Sequence, residues 1–131
     1  MPRILADLRA ALNNLDVTES VVLVGHSFGG AIATEYASAY TEMVSHLILI
    51  ATAGEFGRKA RVPILWLSAE NNSYFGPELS KRMVEAFRGA GGRAKFHLLP
   101  PVGDDGHRMI STPEAVATWG PIVEKFLRTA R

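Results

Sequence analysis

Four apolar residues, Val21-Val22-Leu23-Val24, run without interruption into Gly25-His26-Ser27-Phe28-Gly29-Gly30, and no other stretch restricts the fold of this chain as tightly. A run that is apolar at every position, not at alternate ones, suits a parallel strand covered on both faces. Behind the glycines, Ala31, Ile32, Ala33, Tyr36 and Ala37 give a helix of small residues that can lie close to a sheet and that ends near Tyr40. A serine at such a junction occupies a sharp strand-to-helix turn with strained backbone angles, where side chains on neighbouring positions would collide. The turn presents the Ser27 hydroxyl above the sheet, and the helix N-terminus, with the Phe28 backbone N–H, can face a developing oxyanion. The plainer alternative is a glycine-rich connection with no chemistry.

The remaining pattern extends this unit. Ile4, Leu5, Leu8, Leu12 and Leu15 recur at helical spacing, which predicts an opening helix ending near Asn13-Asn14. Leu47 to Ile50 and Val62 to Leu67 read as further strands, the proline of the latter tolerated near its start. Gly76-Pro77 opens a helix with Leu79, Met83, Val84, Ala86 and Phe87 on its buried face, and Ala94 to Leu99 alternates as a fourth strand near a sheet edge. Pro100-Pro101 begins a loop reaching His107, and a last helix lies between about Pro113 and Arg128, broken or kinked at Gly120-Pro121. Strand and helix alternation of this kind specifies right-handed crossovers. The expectation is a single α/β domain over residues 1–131, with a parallel four-stranded sheet and helices on both faces.

Composition narrows the partners. Of the 131 residues, 47% are hydrophobic and 21% charged, enough apolar side chain to form one core. A formal net charge of +1 provides no overall field for nucleic acid or an anionic membrane, and Arg58, Lys59 and Arg61 read as a solvated loop. No apolar stretch approaches the roughly 20 residues that span a bilayer, and the N-terminus lacks a signal-peptide apolar region, so the cytoplasm is the default location. The absence of cysteine removes disulfides, thiolate metal sites and a cysteine nucleophile. Asp104-Asp105 stands without a second ligand cluster, and no phosphate-binding loop is present, so neither a metal nor another cofactor is expected.

On these residues the chain resembles the α/β-hydrolase superfamily. Val21 to Ala53 is similar to the iminopeptidase and esterase branch. Trp66 to Phe75 and Pro100 to His107 look more like the dienelactone-hydrolase branch. The resemblance covers the nucleophile-elbow half of that fold, as a truncated core, and a shortened, recombined or designed chain would combine branches in this way. It implies a nucleophile, acid, histidine order, in which Ser27 and His107 take the first and last places. His107 would serve as base; His26, His46 and His97 compete with it, His26 as a neighbour of the nucleophile that lines the substrate site, His46 as a residue before a strand and His97 on a solvent face. The aspartate expected after the third strand is replaced by Asn72, which can orient an imidazole but cannot stabilise its protonated form. Glu70, Asp104 and Asp105 are the other carboxylates near enough in sequence to substitute. Tyr74 and Phe75 could line a pocket, whereas Trp66 and Trp119 belong to packing.

Two functions follow as expectations. One is a weak serine esterase acting on small ester-like substrates with Ser27, His107, Asn72 in the acid position, and the Phe28 N–H as oxyanion donor. The other is a non-catalytic, self-associating scaffold derived from the same fold. The open edge of Val21 to Val24 predicts a homodimer joined through the first strand, with a monomer shielded by the opening helix as its rival.

Overall fold

The computed structural model describes residues 2–52 and 61–129. Arg58 and Lys59, and most of the loop expected from Ala51 to Arg61, lie outside the described residues. The chain runs α1 (Pro2–Asn14), β1 (Val21–His26), α2 (Phe28–Ala39), β2 (Val44–Ile50), β3 (Ile64–Ala69), α3 (Pro77–Gly89), β4 (Ala94–Leu99) and α4 (Pro113–Leu127). Short 3₁₀ turns at Thr41–Met43 and Gly106–Ser111 complete the series. The strands lie in the order β1-β2-β3-β4, every neighbouring pair parallel, as the alternation of elements requires.

Burial explains which runs became strands. Every residue of β3 is buried, and β2 departs from that only at Ser45, because these central strands are covered on both faces. On one face, Tyr36 and Ala37 of α2 and Val84 and Phe87 of α3 pack against Leu47, Leu49 and Trp66, and Leu5, Leu8 and Leu12 of α1 lie partly buried against the same cluster. On the other, Ile48, Ile50, Leu65 and Leu67 meet Met109, Ala115 and Phe126 from the C-terminal segment. Each large aliphatic side chain so buried stabilises the fold by roughly 1.5–3 kcal/mol. The edge strands differ: β1 leaves Val22 40% and Val24 53% exposed.

Four local expectations change, the first being β3, which runs Ile64–Ala69 and not from Val62 to Leu67, so that Pro63, which has no N–H to give a ladder, lies before the strand. β2 begins at Val44, three residues before the apolar run, and so contains His46, whose Nε2 meets the Thr129 carbonyl at 2.9 Å while its ring edges onto Phe126. His46 is buried within the strand, not placed before it. α4 continues through Gly120-Pro121, because the carbonyl that loses its partner to the proline belongs to Ala117, on the exposed side of the helix. The segment carrying His107 is a 3₁₀ turn and not an irregular loop. No helix among the described residues is long and apolar enough to cross a membrane.

Candidate active site

Ser27 stands at the junction of β1 and α2 with φ 53° and ψ −124°, a left-handed conformation that costs a non-glycine residue of order 1–3 kcal/mol and persists only where the surroundings over-determine it. They do so here. The Ser27 N–H donates to the Ile50 carbonyl at 3.1 Å, while its own carbonyl accepts from the Gly30 N–H at 3.0 Å and from the Thr52 hydroxyl at 2.5 Å. Gly25 allows the turn to close, since a Cβ there would lie 2.6 Å from the Gly30 Cα. Gly30 is needed on the other side, where a Cβ would run into the Thr52 side chain. Ala51, itself at φ 47° and fully buried, carries β2 into Thr52, so the end of β2 clamps the turn from the side. The Phe28 N–H heads α2, where helix geometry gives it no acceptor within the helix, and the Phe28 side chain is 69% exposed.

The second component comes from the loops after β3 and β4. Gly106 opens the 3₁₀ turn against Ala69 and Asn71, with a Cβ position 2.6 Å from the Asn71 Oδ1, and its N–H donates to the Asn71 carbonyl. Asn71 ties the two loops together: its Nδ2 donates to the carbonyls of Val102 and Gly103, and its Oδ1 accepts from the Val102 N–H. Asp105 binds across the same gap, accepting from the Ser73 N–H and hydroxyl and from the His107 N–H. These bonds, that of the Ser73 hydroxyl first, hold its carboxyl down at about 2. Its oxygens are thus engaged on the loop and turn, not on the imidazole of His107.

His107 is placed from three sides. Tyr74 packs on its ring at 4.4 Å between centroids, Phe75 at 5.8 Å and His26 at 5.1 Å. The His26 Nε2 also donates to the His107 carbonyl at 2.6 Å. An acceptor there fixes the proton of His26 on Nε2 and joins the last residue of β1 to a turn 81 positions away. Burial pushes the His107 imidazole below its ordinary pKa, the charge of His26 adds to that effect, and Asp105 opposes it. Among the described residues no hydrogen bond joins Ser27 to this ring.

Asn72 is 5% exposed and spends its Oδ1 on the N–H groups of Tyr74 and Phe75, both at 3.0 Å. Its Nδ2 is buried without a partner, and so is the Nδ1 of His107. The two residues share a neighbourhood, since the Cβ position of Gly106 lies 3.1 Å from the Asn72 backbone nitrogen. Glu70 and Asp104 make no hydrogen bond with the imidazole, and His97 lies exposed on β4. Trp66 is core, and Trp119 donates its Nε1 proton to the Met109 carbonyl. The bridging by Asn71, Asp105 and Thr52 had no signature in the sequence, because each acts on backbone brought in from another loop. The described residues contain no cluster of side chains suited to a metal ion.

A family profile described as the alpha/beta hydrolase fold matches residues 1–84. The chain belongs to the α/β-hydrolase fold family. A 1-acylglycerol-3-phosphate O-acyltransferase of Arabidopsis thaliana is 41% identical over 59 residues, which is 45% of this chain and 14% of that protein. A predicted CIB-like hydrolase from Thermoplasma acidophilum superposes with a TM-score of 0.74 at 22% identity, covering 95% of this chain and 58% of that one. A serine hydrolase involved in carbazole degradation gives 0.76 at 16% identity, covering 96% and 70%. The chain thus spans a minor part of the curated relative and under two thirds of the first of these structures. At such identities the structures establish the shared fold.

Proposed function

We propose that this chain carries the nucleophile and base of a carboxylic ester hydrolase acting on small ester-like substrates. The strained, over-determined conformation of Ser27 is the observation that carries the reading. The Ser27 Oγ attacks the ester carbonyl as its proton passes to the His107 Nε2. The tetrahedral oxyanion lies toward the Phe28 N–H and the α2 N-terminus; it collapses by breaking the bond to the leaving oxygen, which takes the proton from His107 or, as a stable anion, leaves that proton to be lost to solvent, and the neutral imidazole then activates water, which releases the acyl group by the same sequence. Tyr74, 69% exposed and packed on His107, forms a side wall for the substrate. His26, expected to line the substrate site, acts as a positioning residue through the His107 carbonyl.

Turnover is slow in this reading because the productive tautomer of His107 is unsupported. To accept from Ser27 at Nε2, neutral His107 must carry its proton on Nδ1, where it has no acceptor, and the neighbouring Asn72 Nδ2 is itself a donor. Esters with good leaving groups suffer least, because their departing oxygen does not need the proton. A fluorophosphonate probe tests the assignment directly. Labelling of the parent that disappears in Ser27→Ala supports it, and an unlabelled parent removes it.

The exposure of Val22 and Val24 on the free edge of β1 favours a second reading, a self-associating scaffold that joins two copies through their first strands. Light scattering behind size-exclusion chromatography reads this directly. A dimer that Val24→Lys dissociates is the expected result, and a monomer at high concentration eliminates it.

A further inference from the structure

At the end of the sheet away from Ser27, two adjoining cavities open between β4 and α4. One, of about 360 Å³, lies where β3 and β4 begin, with Ile64, Ala94 and Phe126 in its wall. The other, of about 370 Å³, continues along β4 over Leu65, Ile122 and Phe126. Both volumes fall within the range of small-molecule sites, and Lys95 and Phe126 line both cavities, so they form one cleft.

The floor and rim of this cleft are chemically opposite. Leu65 and Phe126 are buried, whereas Arg88, Arg93, Lys95, His97 and Lys125 stand exposed around them. Lys95 and His97, two apart on an edge strand, share the face turned to α4, and Lys125 reaches the same space from the helix. Among the described residues no carboxylate lines either cavity. Arg88 donates from Nε and Nη2 to the Ala94 carbonyl, and Arg93 donates to the Arg61 carbonyl, so neutral acceptors leave both charges uncompensated. The ion pairs among the described residues, Glu78 with Lys81 and Glu124 with Arg128, involve none of these cations. On a chain whose formal net charge is +1, this is a local concentration of positive charge over an apolar floor.

We infer that the cleft between β4 and α4 binds a single-chain anionic amphiphile, an alkyl carboxylate whose tail lies along Pro121 and Ile122 above the buried Leu65 and Phe126 and whose head pairs with the Lys95, Lys125 and Arg93 rim. An apolar floor alone would take a neutral alkane or alcohol equally well, and a basic rim alone would take acetate; the combination requires both parts in one molecule.

Calorimetric titration of the full chain with decanoate, held below its micelle concentration, tests this against decanol and acetate. Saturable one-to-one binding of decanoate, at least about tenfold tighter than that of decanol and with none for acetate, is expected, weakening as salt is raised. Lys95→Glu with Lys125→Glu should reduce decanoate affinity about tenfold or more and leave the circular dichroism spectrum and Ser27 labelling unchanged. Lys95→Ala, a milder change, should give a smaller loss in the same direction. Equal affinity for decanol and decanoate, no saturable binding at millimolar decanoate, binding to anionic vesicles alone, or affinity indifferent to both variants would each overturn the inference.

Discussion

The Ser27 turn and the His107 turn lie at the same end of one sheet, yet they are held in different ways. Around Ser27 the backbone is bonded on both sides, two glycines are required by close approach, and the strain at φ 53° is matched by contacts from β2. Around His107 the backbone is equally well tied, through Asp105, Asn71 and His26, but two side-chain nitrogens, on His107 and Asn72, are buried with nothing to bond. The first region is determined by the path of the chain. In the proposed reaction the second turns on the identity of one atom at position 72, and a buried polar group left unpaired costs about 1–3 kcal/mol.

Asn72→Asp tests this contrast most severely. A carboxylate could keep one oxygen on the Tyr74 and Phe75 N–H groups and offer the other to the His107 Nδ1 proton, which selects the tautomer that accepts from Ser27. The reverse change in serine proteases costs on the order of ten-thousandfold, so ester turnover should rise by about a hundredfold or more. Activity toward a p-nitrophenyl ester, measured with Ser27→Ala as background, reads the effect. A rate that does not change means that the imidazole and position 72 do not meet.

His26 joins the two regions, and removing it should separate them. In His26→Phe the ring packing beside His107 survives in part, while the hydrogen bond to the His107 carbonyl is lost. The expected outcome is a kcat about tenfold lower with KM little changed and fluorophosphonate labelling slowed similarly, with thermal stability lowered by about 1 kcal/mol. A purely structural role would lower stability and leave the rate per folded molecule unaltered.

How far the sequence was legible follows the same division. β4, the end of α1 and the start of α3 at Gly76-Pro77 could be read because local signals decide them: alternation, helical spacing and a proline at the first helical position. The Ser27 turn could be read because Gly25 closes on Gly29 and Gly30 within one short segment, although the contact of Gly30 with Thr52 beyond β2 could not. The start of β2 could not, since Ser45 and His46 break the apolar run, and His46 is accommodated by Phe126 and Thr129 from the far end of the chain. Nor could the 3₁₀ turn at Gly106–Ser111, which is too short for a hydrophobic period and is organised by the Asp105 carboxylate. Local chemistry writes itself into local sequence; a loop that is fixed by another loop does not.

The smallest effect concerns pH, and its sign separates the two regions most finely. His107 has its pKa lowered from 6.5, by burial first and the charge of His26 second, so the imidazole is neutral at pH 7. In the proposed reaction protonation removes the base, so ester turnover should fall to half its plateau at a pH below 6.5. Stability moves in the same sense. Between the folded and unfolded pKa values the unfolded chain binds more protons, so this group makes the protein less stable as pH falls from 6.5 toward the folded value. In Asn72→Asp the new carboxylate favours the imidazolium, which raises the folded pKa and shifts the acid limb of the rate profile to higher pH. A pH–rate profile of both proteins, with urea midpoints at the same pH values, measures the shift. An inflection at or above 6.5 in the parent would contradict the partly buried ring and unpaired Nδ1 of His107, while an acid limb unmoved by the carboxylate would place that ring beyond the influence of position 72.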